Sequence, residues 1–191
     1  MKIVGLGDSI TFGYGVPREK GWFDRMKNHF PKYVWDNCGI PGDSSTGMLR
    51  RFLFDVEVKR PKYLTILGGA NDLMEGALPQ AVVNNLIKIG EQAQEKNIIP
   101  LFLLPFTISL KPDPLGWLSE GEAREMHDQI IELREQISVK TAEKNWFCFD
   151  TMSVLSSPDE MEAYFLVDGV HVNAKMHEMI AEGLTVNNPF V

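Results

Sequence analysis

Lys2-Ile3-Val4-Gly5-Leu6-Gly7-Asp8-Ser9-Ile10-Thr11 is the stretch on which the reading of this chain turns. Ile3, Val4 and Leu6 are strand formers, and the run is short and apolar. Gly5 and Gly7 let the backbone bend where a side chain would clash. Ser9 is therefore expected where a central strand gives way to a helix, its hydroxyl facing solvent. In an open parallel sheet, ligands bind beside the carboxyl ends of such strands. A serine there acts as a nucleophile when a base and an oxyanion site are brought to it.

Outward from that stretch, strand-like runs alternate with helical patterns. Pro17 opens a helical segment in which Trp22, Met26 and Phe30 recur every four residues. Residues 33–38 read as a second strand ending at Gly39. A helix from Gly42-Asp43-Ser44 carries Met48, Leu49, Phe52, Leu53 and Val56 on one face and breaks at Pro61. Residues 63–67 form a third strand, ending in Gly68-Gly69. After Pro79 a helix carries Val82, Leu86, Ile89 and Ala93, with Asn97 as its stop. Residues 98–104 are almost wholly apolar, as strands covered on both faces are. Residues 105–118 read as a long loop, and Ser119 with Glu122 fits a capping box for the next helix. A fifth strand at 146–149, a loop containing Asp168 and His171, and a last helix complete the chain. Five strands with intervening helices predict an α/β fold with a parallel sheet covered on both faces. No linker or repeat appears, so residues 1–191 are expected to form one domain. Strand order is not legible in this pattern.

The 191 residues are enough for one sizeable core, and 44% are hydrophobic. The formal charge of −7 argues against nucleic-acid or anionic-membrane partners, which need Lys/Arg clusters. The two cysteines, Cys38 and Cys148, lie in separate apolar runs and form no metal-binding spacing. Neither a leader nor a membrane span is expected from the apolar content, and a cytoplasmic protein is the expectation. The sequence is silent on oligomeric state.

Four loops hold the reactive residue types. Asp8 and Ser9 alone could simply cap a helix. Gly39, in Asn37-Cys38-Gly39-Ile40-Pro41-Gly42, could be a turn glycine or could leave its N–H open to a ligand. Asn71, in Gly68-Gly69-Ala70-Asn71-Asp72, could belong to a turn or aim an amide at developing negative charge. Asp168 and His171 are separated so that the carboxylate can reach the imidazole within one tight turn and orient it as a base. Each signal is weak alone, but together they supply a complete set of roles.

Gly7-Asp8-Ser9-Ile10 resembles the signature of the GDSL, or SGNH, hydrolases, with Ile10 in place of leucine. Asn37-x-Gly39-x-x-Gly42, Gly69-Ala70-Asn71-Asp72 and Asp168-x-x-His171 are similar to the family's later blocks, in the same order across nearly the whole chain. The resemblance implies a three-layer α/β/α, flavodoxin-like fold and acyl-ester hydrolysis without metal or organic cofactor. It implies Ser9 as nucleophile, His171 as base and Asp168 as its orienter. The oxyanion would be held by the N–H groups of Ser9 and Gly39 and by the Asn71 side chain. Val172 departs from the proline usual after the histidine. A second Gly-Asp-Ser, at residues 42–44, fits a helix start better than a nucleophile turn.

The small size favours small acyl esters as substrates. Acetylated sugars, lysophospholipids and thioesters are alternatives within the family, and a non-catalytic flavodoxin-like binding module is an alternative of another class. A dinucleotide fingerprint begins at Gly5-x-Gly7 but meets Ile10 at its third glycine position. The closing glycine of a G-x-S-x-G elbow is likewise missing after Ser44. Phe106 and Trp117, in the long loop, are candidates to shape the substrate pocket, with Asp8 beside Ser9 as a further contact.

Overall fold

In the computed structural model, which describes residues 1–111, 115 and 118–190, the expected alternation is realised. In chain order the elements are β1 (Lys2–Gly7), α1 (Ser9–Phe12), α2 (Trp22–His29), β2 (Val34–Gly39), α3 (Ser45–Phe52), β3 (Tyr63–Leu67), α4 (Ala70–Met74), α5 (Pro79–Glu95), β4 (Ile99–Leu104), α6 (Glu120–Glu143), β5 (Phe147–Asp150) and α7 (Ala174–Asn187). The strands form one parallel sheet in the order β2-β1-β3-β4-β5, which is the flavodoxin-like order.

Side-chain alternation along the strands splits the core into two layers. Val4 and Leu6 of β1, Leu64 and Ile66 of β3, and Phe102 and Leu104 of β4 face α3, α5 and α6. Ile3, Tyr63, Leu67, Leu101 and Leu103 face α2 and α7. Each fully buried side chain of the size of Leu64 or Ile66 contributes about 1.5–3 kcal/mol of transfer free energy. Glycine is required where elements approach most closely. A Cβ on Gly7 would stand 2.5 Å from the carbonyl oxygen of Leu67 on the neighbouring strand, and one on Gly39 would collide with the backbone of Phe12.

The predicted caps are present at several ends. Ser119 Oγ accepts from Glu122 N (3.3 Å), and Glu122 Oε2 accepts from Ser119 N (2.8 Å). Asn97 takes the left-handed conformation (φ 59°) that ends the α5 segment. Three segments depart from expectation. Pro17 opens only a 3₁₀ turn, Arg18–Lys20, because Gly21 then runs extended and caps α2 instead. The helix after Ser44 ends as α3 at Phe52 and passes into a π turn, Leu53–Glu57. Asn71 and Asp72, expected in a turn, lie in the short helix α4, entered through Gly69 at φ 114°.

Residues 105–108, in the expected long loop, are buried. Arg134 holds the loop's start by donating to Pro105 O and, at 2.6 Å, to Asp150 Oδ1. Trp117 lies outside the described residues. Among the described residues, no helix is long and apolar enough to cross a membrane.

Candidate active site

The sheet order reverses between β1 and β3, and the four loops meet at their carboxyl ends. Asp8 ends β1 and caps α1, its Oδ1 accepting from Ile10 N at 2.9 Å. That cap places Ser9 at the first position of α1. Ser9 is only 7% exposed, although the sequence reading expected its hydroxyl to face solvent. It lies 2.9 Å from His171 Nε2 instead.

The turn carrying His171 is built locally. Asp168 Oδ1 accepts from Val170 N (3.0 Å) and His171 N (2.8 Å), and Gly169 supplies the left-handed residue of the turn (φ 69°). Asp168 Oδ2 is then left 2.8 Å from His171 Nδ1. Burial raises the Asp168 carboxyl pKa, but the two backbone donors and the imidazole outweigh it and hold the group below its ordinary value. Val172, the residue after His171, is fully buried and bridges to Phe165. Asn173 caps α7 immediately afterwards.

Gly39 and Asn71 reach the same end of the sheet, and both already have partners. Gly39 N–H donates to Asn37 Oδ1 at 3.0 Å, while Asn37 Nδ2 donates to Thr11 O at 2.9 Å. Asn71 Nδ2 donates to Asp43 O at 2.9 Å. A primary amide carries two N–H groups, so one of Asn71's remains beyond that bond. Ser9 N–H, at the first turn of α1, is an orphan donor of the kind every helix start has.

Asp8, Ser9, Asn71, Phe106, Ile108 and Val170 line a narrow pocket. Its free volume of about 20 Å³ is that of a water or two. Ser109 N donates to Gly169 O (2.7 Å), and Glu162 accepts from Ser109 Oγ (2.8 Å) and Leu110 N (2.9 Å), so the pocket wall is tied to the His171 turn. Two side chains here were not singled out from sequence. The Tyr14 ring lies against the imidazole of His171, centroids 4.4 Å apart. Arg51 reaches beneath the ends of β1 and β2. In sequence Tyr14 is an unremarked aromatic after the first motif and Arg51 an ordinary helix charge.

Two buried groups have opposed titrations. Burial raises the Asp8 pKa to about 7, the Ile10 N–H opposing it and the Asp43 and Asp72 carboxylates adding to it. Burial lowers the His177 pKa to about 4, assisted by Arg25 and His171. His177 Nδ1 accepts from Trp22 N (3.2 Å) at the start of α2, so a proton on that nitrogen breaks the bond. The raised Asp8 contributes stability that is fully present below about pH 4 and is lost as pH rises through about 7. The depressed His177 contributes stability present above about pH 6.5 and lost as pH falls through about 4. Each effect amounts to a few kcal/mol and they offset between those limits. Asp8→Asn, which keeps a capping oxygen but cannot titrate, is expected to gain stability relative to the parent as pH rises from 4 to 8. Urea unfolding across that range checks it, and a constant difference between the two proteins contradicts it.

A sequence model of the GDSL-like Lipase/Acylhydrolase family matches residues 6–179. An arylesterase of Vibrio mimicus is 33% identical over 92 residues, 46% of either chain. Esterase TesA of Pseudomonas aeruginosa is 28% identical over 102 residues, 51% of either chain. The chain thus spans about half the length of the curated relatives it matches. A member of the lipolytic protein G-D-S-L family from Veillonella parvula superposes with a TM-score of 0.84 over 100% of both chains at 24% identity. The lipase/acylhydrolase of Enterococcus faecalis does so with a TM-score of 0.77 at 23% identity, over 97% of this chain and 94% of that one. At these identities the structural likeness carries the fold.

Proposed function

The chain belongs to the GDSL-like lipase/acylhydrolase family, and from that premise we propose that it is a serine esterase cleaving small acyl esters. The observation that carries this reading is the continuous chain Ser9 Oγ–His171 Nε2 (2.9 Å) and His171 Nδ1–Asp168 Oδ2 (2.8 Å). Both distances are within hydrogen-bond reach, which is the geometric requirement for a nucleophile, its base and the base's orienter.

In this reading His171 takes the Ser9 proton as Oγ attacks the ester carbonyl. The charge that develops on the carbonyl oxygen is met by Ser9 N–H, by the second N–H of Asn71 and by Gly39 N–H, shared with Asn37. Asp168 keeps the proton of neutral His171 on Nδ1 and steadies the imidazolium. His171 then protonates the departing alcohol, leaving the acyl group on Ser9. It next deprotonates the water that attacks the acyl group and returns that proton to Ser9 Oγ as the acid leaves. No metal or organic cofactor takes part.

The narrow pocket walled by Phe106 and Ile108 favours an acetyl or similarly short acyl group over a long chain. Asp8 acts through its cap on α1, which sets the position of Ser9, and also lines the pocket. The test is a rate series over p-nitrophenyl esters of increasing acyl length. Turnover is expected to be highest for the shortest acyl groups and to fall as the chain grows. A maximum at long chains contradicts the short-acyl assignment, and acetylated sugars and acyl thioesters run alongside identify the leaving group.

A further inference from the structure

We propose that Arg51 is a positioning residue for the oxyanion site, its guanidinium locking together the chain segments that carry Ser9 and Gly39 and, through Asp43, the carbonyl that holds the Asn71 amide; this rests on the esterase reading above. Nη2 donates to Gly7 O at 2.9 Å, two residues before Ser9. Nη1 donates to Cys38 O at 2.6 Å, immediately before Gly39. Nε donates to Asp43 Oδ2 at 2.7 Å, and Asp43 O is the carbonyl that holds the Asn71 amide. Asp55, one turn along the same helical segment, accepts from Nη1 at 2.8 Å and anchors the arginine from behind.

The strand ends explain why such a group is needed. Gly7 and Gly39 are the last paired residues of β1 and β2, so past the Ile40 N–Gly7 O bond the ladder no longer holds the two loops in register. Gly7 O accepts from Ile40 N at 3.0 Å, and Ile40 O accepts from Asp43 N at 3.1 Å. These bonds link the second loop to the first strand and to the start of α3. Arg51 joins the same circuit from below through a planar fork with five N–H donors, which no other side chain offers. Its side chain is only 14% exposed.

The effect is geometric. The guanidinium faces the carboxylates of Asp43 and Asp55 at once, so the cluster carries no surplus positive charge to offer an oxyanion. What it offers is fixed placement of the N–H groups of Ser9 and Gly39 and of the Asn71 amide relative to one another. Misplacement of such donors is felt in the transition state, where charge is fully developed, more than in substrate binding.

The test compares Arg51→Met and Arg51→Lys with Arg50→Met, an exposed neighbour on the same helix, using p-nitrophenyl acetate. Both Arg51 variants are expected to lose about 10–100-fold in kcat with KM within about threefold of the parent, and Arg50→Met to match the parent. Lysine is expected not to rescue, because a point charge cannot hold two carbonyls and a carboxylate together. Amide exchange at Ile40 is expected to quicken in Arg51→Lys, since the Gly7 carbonyl that it bonds has lost its second anchor. If Arg51→Met fails to fold, the lysine variant and its exchange rate decide. Parent-like kcat in Arg51→Lys, a loss confined to KM, or unchanged exchange at Ile40 overturns the proposal. Ser9→Ala is assayed beside them: turnover surviving there sinks the Ser9-nucleophile reading on which this rests, whereas turnover lost in Ser9→Ala but kept in both Arg51 variants sinks only the positioning role.

Discussion

Ser9→Ala is expected to lower the turnover of a chromogenic acetate ester by about 10⁴-fold or more while the protein stays folded. In the proposed mechanism the loss is that large because the hydroxyl oxygen forms the covalent bond, and neither neighbouring candidate can substitute. Asp8 is held by the α1 amide, and its burial keeps its pKa near 7. Ser44, in the second Gly-Asp-Ser, caps α3, its Oγ accepting from Gly47 N at 3.2 Å. Folding is expected to survive because the Ser9 side chain contributes a single hydrogen bond to His171, and α1 keeps the Asp8 cap. Circular dichroism and a urea midpoint separate a folded, inactive variant from an unfolded one. A folded variant within tenfold of the parent removes Ser9 from the chemistry.

Asp168→Asn carries the second-largest expected effect, a fall in kcat of about 10³–10⁴-fold. The substitution preserves shape. The asparagine oxygen can still accept from Val170 N and His171 N, which keeps the turn closed around Gly169. Its NH₂ group then faces His171 Nδ1, where the carboxylate had accepted a bond. A donor there drives the imidazole proton to Nε2, the nitrogen that must receive the Ser9 proton. The base is in place but in the wrong tautomer, so kcat falls far more than KM. Loss of the carboxylate also removes the partner of the imidazolium. A variant with parent-like kcat would mean that His171 is oriented by other contacts, of which the Tyr14 ring is the nearest.

Sequence patterning carried the architecture where local chemistry decides it. The β-branched run at Tyr63–Leu67, the Ser119 and Glu122 capping box and the Asn97 stop are all set by residues within one turn of one another. The Asp168 to His171 spacing is legible for the same reason, since one tight turn joins carboxylate and ring. Strand order was not legible, because consecutive parallel strands carry no turn that pairs them. The family resemblance supplied the order that the sheet adopts. The α4 helix was missed because Asn-Asp after two glycines favours a turn locally. It forms where Asp72 is buried and accepts from Ser45 N (2.8 Å) and Ser45 Oγ (2.6 Å), contacts that exist only in the folded chain. Arg51 was hidden for a related reason. In sequence it is an i, i+4 partner of Asp55, and its bonds to Gly7 and Cys38 come from two strands that folding brings beneath it.

The central claim is that an acyl group passes through Ser9 Oγ. Acid-quenching the protein during steady turnover of a slowly deacylated p-nitrophenyl ester, followed by peptide mass spectrometry, tests it most directly. The account predicts a single added acyl group, confined to the peptide containing Ser9 and absent from the Ser9→Ala protein. Turnover with no acylated peptide at Ser9, or with the acyl group on another side chain, would contradict it.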